Sequence, residues 1–427
     1  MSAAPERVLA HLERELAGCD EPLCGYVYDL QALADHAAAV VGALPAGCEM
    51  FYAIKANPDL PLLATLASRV AGFEVSSGGE LQWVREHFPA APVAFSGPGK
   101  TDAELALALR AGVDAVHVES FGELRRLAAA AERLQREAPV LLRANPSLPQ
   151  AIDTPLVMGG QPSPFGMPAD ELDACARWLR GQPRLRLRGL HFHLASHQLD
   201  AAAHAALLDA CVRLALHWSA RHGVRLEQVN LGGGIGVNYR DPARQFDWGG
   251  FVGALAATAA RAAAAGIGLR FECGRYLAAG CGYYAAEVID IKRSHGRHYA
   301  VVRGGTHHFR TPAAQGHSHP FGVLGTNRWP HAFERPAVRD EPVWIVGQLC
   351  TPKDLLAAAA PVARLRAGDV VVFALAGAYA WHISHHAFLR HAPPRFWYLP
   401  VAPALTGAAV RPPQPGSTGS TSARTTP

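Results

Sequence analysis

The chain has 427 residues, 49% of them hydrophobic, and a net charge of only +4 with histidine neutral. That is enough chain for two domains and a sizeable core, while the even spread of Lys and Arg excludes a basic arm or nucleic-acid stripe. No apolar run reaches the roughly 20 residues that cross a bilayer. The eight cysteines form no CxxC pair and read as free thiols. The amphipathic start MSAAPERVLAHLEREL lacks a signal-peptide core, so the expected location is the cytoplasm.

From about residue 27 to 280, short apolar runs alternate with Ala/Leu-rich helical runs. The first, FYAIKAN, carries Lys55 after its apolar residues, an ammonium at the edge of a buried strand. Such a lysine can snorkel or pair with a carboxylate, or it can be a desolvated nucleophile or Schiff-base lysine. Then come GFEVSS with Glu74, VAFSG, AVHVES, VLLRANPS with Arg143, and GLHFHLAS with His193 and Ser196. QVNLGGG and LRFECG, the latter carrying Glu272, complete the series. Strands that are apolar nearly throughout are covered on both faces, and eight of them alternating with helices predict a (β/α)8 barrel. A doubly wound sheet is the competing reading. In a barrel, the polar residues above gather at the C-terminal strand ends, where chemistry is placed.

Three stretches sharpen this picture. The glycines of NLGGGIG suit either a tight turn or close approach of backbone N–H groups to a phosphate, and they lack GxGxxG spacing. In FECGRY, Glu272 and Arg275 can pair with each other or separate. Separated, Arg275 faces a phosphate and Glu272 a protonated ring nitrogen, as a pyridoxal phosphate enzyme needs. In HFHLASH, strand alternation would put His191, His193 and His197 on one face. No metal is expected there, and a single His193 stacked on a ring is preferred. Beyond Tyr283 strand-like runs lack long helices between them, predicting a mostly β domain, with loops over residues 311–340. The polar, low-complexity end RPPQPGSTGSTSARTTP cannot bury a core and is expected to be disordered.

FYAIKANP, FEVSSGGEL, HFHLAS, NLGGGIG, FECGRY, LCTPKD and GAYA, in this order, resemble the fold-type III pyridoxal-phosphate decarboxylases of ornithine, arginine and diaminopimelate. The resemblance runs from about residue 24 to 400. It implies an alanine-racemase-like (β/α)8 TIM barrel over residues 27–280. Residues 1–26 and 281–408 would form a β-rich, sandwich- or barrel-like domain, with 409–427 as the tail. By the same resemblance Lys55 would be the Schiff-base lysine, with Glu74 and Arg143 near the imine and 3′-oxygen. His193 would stack on the ring and Glu272 would meet the pyridinium. Ser196, Gly232, Gly233, Gly234, Arg275 and Tyr379 would hold the phosphate. Cys350, inserted by a second subunit, would reprotonate the substrate, and nearby Asp354 would serve that partner's site. A homodimer follows.

One departure bears on the substrate. Relatives that act on basic amino acids carry an acid after the cysteine, where this chain has Thr351. GGTHHFRTPAAQGHSHPF also brings His307, His308, Arg310, His317 and His319 into one loop, which suits an anionic substrate; a solvated loop is the plainer reading. GGTHHFR, GQLCTP and GAYAWHISHHAFLRH are most similar to the siderophore-biosynthesis branch, which decarboxylates an amino acid already joined to citrate. The expected activity is therefore a pyridoxal-phosphate carboxy-lyase acting on a citryl-diaminopropionate-like conjugate. Decarboxylation of diaminopimelate or a basic amino acid is the alternative. An amino-acid racemase and a decarboxylase-like regulator are the further rivals.

Overall fold

The computed structural model describes residues 4–147 and 156–401. In chain order the first strands are β1 (Cys24–Asp29), β2 (Cys48–Ala53), β3 (Gly72–Val75), β4 (Val93–Phe95), β5 (Ala115–Val118) and β6 (Ala138–Arg143). The two-residue β7 (Leu156–Val157), β8 (Leu185–His191), the two-residue β9 (Ala195–Ser196), β10 (Gln228–Asn230) and β11 (Gly268–Cys273) follow. Strands β2, β3, β4, β5, β6, β8, β10 and β11 pair side by side in parallel, and β11 returns to β2 to close a barrel. These are the eight runs read from the sequence, so the doubly wound alternative falls. β7 and β9 pair with each other outside the barrel.

Short polar caps start five of the barrel helices. Ser77, Thr101, Ser120, Asp200 and Asp247 each accept a backbone N–H three residues on. This satisfies donors that a helix start leaves unpaired, and it lets strand ends face one rim while the helices pack outside. No helix among the described residues is long and apolar enough to cross a membrane.

The second domain adds β12 (Gly282–Ser294), β13 (Arg297–Val302), β14 (Phe321–Leu324), β15 (Ala337–Val346), β16 (Leu355–Arg366), β17 (Val370–Phe373) and β18 (Arg395–Leu399). With β1 they form one eight-stranded sheet. β1 lies antiparallel to β12 and parallel to β18. The helix Glu6–Ala17 sets Val8 and Leu12 against Leu23, Val27, Ala285, Val370 and Val372, a small core separate from that of the barrel. β1 continues past residue 27 to Asp29, whose carboxylate caps the helix Leu30–Gly42, so the chain passes from sheet to barrel at that residue.

Residues 311–340 are not loop throughout. They hold a short helix, Thr311–Gln315, and β14, and they end on the start of β15. The proposed tail, 409–427, and residues 402–408 lie outside the described residues.

Candidate active site

The barrel strands end around a cavity of about 380 Å³. Lys55 follows β2 in a single turn, Ile54–Ala56, that buries both neighbours. It leaves the lysine side chain 44% exposed, facing the cavity. Its Nζ donates to Glu74 Oε2 at 2.5 Å and to Ser76 Oγ at 3.2 Å, and Ser76 in turn donates to Glu74 Oε1 at 2.9 Å. Desolvation works against the ammonium, but the Glu74 carboxylate more than offsets it and the Lys55 pKa lies above the ordinary lysine value. In exchange, burial pushes the Glu74 pKa up, but Lys55 more than offsets this and holds it below the ordinary carboxylate value.

Across the barrel Glu272 is buried, and desolvation together with the negative charge of Glu74 pushes its pKa up to about 8. Asn230 Nδ2 donates to Glu272 Oε1 at 2.7 Å. The His117 and His191 rings stand 3.6 and 3.7 Å from its two oxygens. Burial keeps both imidazoles neutral, with pKa values well below 6.5. One ligand atom from each of His117, His191 and Glu272 falls within a 4.8 Å cluster, a spacing that could hold a metal. The Asn230 amide nitrogen, however, is directed at both Glu272 Oε1 and His117 Nε2, the latter at 3.4 Å, so two of the three lone pairs already face a donor. The trio foreseen from strand alternation does not form, because β8 ends at His191 and His197 lies beyond β9 with φ +61°.

At a third edge lie Ser196, Gly234, Arg275 and Tyr379. A Cβ on Gly232, Gly233 or Gly234 would come within 2.4, 2.4 or 2.6 Å of His193 Nδ1, Glu272 O or Ala195 O, so only glycine fits this turn. His193, which lines the cavity, accepts the Gly233 N–H at 3.3 Å, and burial lowers its pKa to about 3. Arg275 donates to Tyr239 Oη at 2.7 Å and lies 4.4 Å over the Tyr379 ring. Among the described residues it makes no pair with Glu272, so the two separate as the second sequence reading had it. Tyr379 comes from the sheet domain, its backbone N–H bonded to Ala56 O at 2.7 Å, so both domains build the cavity. Arg143 lines it too, held by buried Glu119 at 2.8 Å.

The remaining candidates sit in the sheet domain. Cys350 is exposed, and Thr351 lines a separate cavity of about 740 Å³ together with Arg310, Lys353, His317 and His385. His307 and His308 do not join this lining. Both are buried, and burial lowers their pKa to about 4 and about 2, so they carry no charge near neutrality. The turn at Gly304 (φ +92°) and Gly305 (φ +142°) tucks them inward. Asp354 is also buried; its oxygens accept the Thr306 and Leu349 N–H groups at 2.6 and 2.8 Å, which shapes the loop carrying Cys350. Sequence reading passed over Ser76, Ser96, His117, Glu119, Asn230 and Tyr239. Ser76 and Asn230 lie two residues from Glu74 and Gly232, whereas Ser96, His117, Glu119 and Tyr239 become neighbours of the selected residues only in the folded chain.

The donor set fits pyridoxal phosphate. An amine stands at one edge, a glycine cradle beside a guanidinium at another, and on the far wall a carboxyl whose raised pKa a cationic ring nitrogen would relieve. His191, 2% exposed with neither ring nitrogen hydrogen-bonded, faces the same space. Comparison with known proteins agrees. Residues 30–279 match the family described as pyridoxal-dependent decarboxylase, pyridoxal binding domain. The chain is 42% identical over 393 residues to the Staphylococcus aureus enzyme named 2-[(L-alanin-3-ylcarbamoyl)methyl]-2-hydroxybutanedioate decarboxylase, covering 92% of this chain and 98% of that one. It is 31% identical to L-glutamyl-[BtrI acyl-carrier protein] decarboxylase of Niallia circulans, covering 86% and 87% of the two chains. Among solved structures, diaminopimelate decarboxylase from Helicobacter pylori complexed with L-lysine superposes with a TM-score of 0.75 at 24% identity, covering 87% and 90%.

Proposed function

The chain belongs to the pyridoxal-dependent decarboxylases, and from that premise we propose that it removes the α-carboxylate of an amino acid joined by an amide to a citrate-like polycarboxylate. It is a carboxy-lyase whose cofactor is pyridoxal phosphate. The observation that carries the substrate class is the 740 Å³ cavity beside Cys350. Arg310 and Lys353 line it, and no Asp or Glu does. A basic substrate would meet two cations there and no anion to pair with. An anionic one would find a guanidinium able to bind carboxylate through two N–H groups. The Staphylococcus aureus relative is named for a compound with three carboxylates, consistent with this.

Bound pyridoxal phosphate supplies an electron sink for the pair left when CO2 departs. Lys55 Nζ would hold it covalently, with Glu74 and Ser76 positioning that nitrogen. Glu272 would pair with the ring nitrogen, and His193 and Arg143 would pack beside the ring. Ser196, the Gly232–Gly234 turn, Arg275 and Tyr379 would hold the phosphate. Cys350 is exposed and lies outside the cavity of its own chain, which fits a proton donor delivered to a second copy in a homodimer. The unpaired cysteines fit a cytoplasmic location.

The test is CO2 release from the citrate amide of 2,3-diaminopropionate, measured beside meso-diaminopimelate, ornithine, lysine and arginine. The amide is expected to show the highest kcat/KM. A wild-type preference for any of the free amino acids rejects the proposal.

A further inference from the structure

Asn230 closes β10 with no exposed surface, and each polar atom of its side chain is engaged. Its Oδ1 accepts the Gly232 N–H at 2.9 Å, which fixes which way the amide faces. Its Nδ2 is thereby turned to Glu272 Oε1 at 2.7 Å and to His117 Nε2 at 3.4 Å. With Nε2 facing a donor, the His117 proton is assigned to Nδ1, which lies 2.9 Å from Ser96 Oγ. Ser96 in turn supports the Glu74 carboxylate beside Lys55. One buried amide therefore joins the glycine turn, the carboxyl on the far wall and, through two neutral groups, the carboxylate that holds the lysine. It also occupies a single oxygen of Glu272 and leaves the other free.

We propose that Asn230 is the positioning residue of this site: it locks the Gly232 turn and the orientation of Glu272 to each other, so that the cofactor's phosphate and ring nitrogen are registered by one side chain. The inference rests on the assignment of Glu272 to the ring nitrogen. It makes a division of labour testable. Asn230→Asp keeps an oxygen for the Gly232 N–H and replaces the amide donor to Glu272 and His117 with a second buried carboxyl, which must share a proton with Glu272. Asn230→Leu, of similar volume, removes both functions.

The measurements are the Kd for pyridoxal phosphate and the pH dependence of the bound cofactor's absorbance spectrum. Asn230→Leu should weaken the cofactor about tenfold or more, as expected for lost hydrogen bonds that include one to an ionisable carboxyl. Asn230→Asp should bind it nearly as wild type does, yet shift the spectral titration by about one pH unit or more. If Asn230→Leu does not fold, Asn230→Asp decides alone. A wild-type titration in Asn230→Asp overturns the proposal, as does a loss of cofactor affinity as large as that of Asn230→Leu. Glu272→Gln, run in parallel, keeps the two levels apart. No spectral change there rejects the Glu272 assignment itself, whereas a change there with none in the Asn230 variants rejects only the role of Asn230.

Discussion

Glu272 carries a cost that the cofactor would remove. Its carboxyl titrates at about 8 in the folded protein against an ordinary 4.5, because burial and Glu74 disfavour its charge. Between those two values the unfolded chain binds fewer protons at this group than the folded one, so the contribution of Glu272 to stability falls as pH rises through the window. Glu272→Gln, which can still accept from Asn230, should therefore lose that slope. The cofactor-free variant is expected to gain thermal stability relative to the cofactor-free wild type between pH 5 and 8, and equal Tm differences across that range would count against the raised pKa. Lys55→Ala is expected to abolish both CO2 release and borohydride trapping of the cofactor on the protein, checked by mass spectrometry; a retained adduct at another residue removes Lys55 from its role. Lys55 and Glu74 stood out as lone charges at the end of or within an apolar run, and Glu272 stood out through its place in FECGRY. Asn230 and His117 did not, since they stand 113 residues apart and meet only when the barrel closes.

At the scale of the element, the glycine turn after β10 combines backbone and steric demands. Gly234 has φ +85°, and a Cβ there would lie 2.6 Å from Ala195 O. Gly234→Ala should cost about 1–2 kcal/mol from the left-handed backbone alone, with more from the clash. Thermal unfolding of the cofactor-free protein should show that loss, and a titration the weaker cofactor binding. An unchanged Tm would mean the turn can relax. The barrel strands were readable because continuous apolar runs report two covered faces. β16 was not: LLAAAAPVARLR is rich in a strong helix former and has no alternation. Pairing with β15 overrides that propensity, and as an edge strand β16 tolerates Pro361. The histidine loop was visible as a cluster, but its direction was not. Two left-handed glycines turn His307 and His308 inward and leave Arg310 exposed.

For the whole molecule, the shared-site proposal predicts complementation. Lys55→Ala and Cys350→Ala should each be inactive or nearly so. Their mixture should recover about a quarter of wild-type activity, because half of randomly exchanged dimers are mixed and each of those holds one intact site. No recovery despite demonstrated subunit exchange would place Cys350 outside the chemistry. The two-domain division was legible as a change of texture after Tyr283. The pairing of β1 with β18 has a bearing on biosynthesis. Cys24–Asp29 leaves the ribosome long before its partner Arg395–Leu399. The barrel can close on the nascent polypeptide while β1 still shows an unpaired edge, open to wrong partners throughout translation. Completion of the sheet then waits on Arg395–Leu399, and chains truncated before Arg395 should be captured by chaperones through their N-terminal strand, though their barrels are complete.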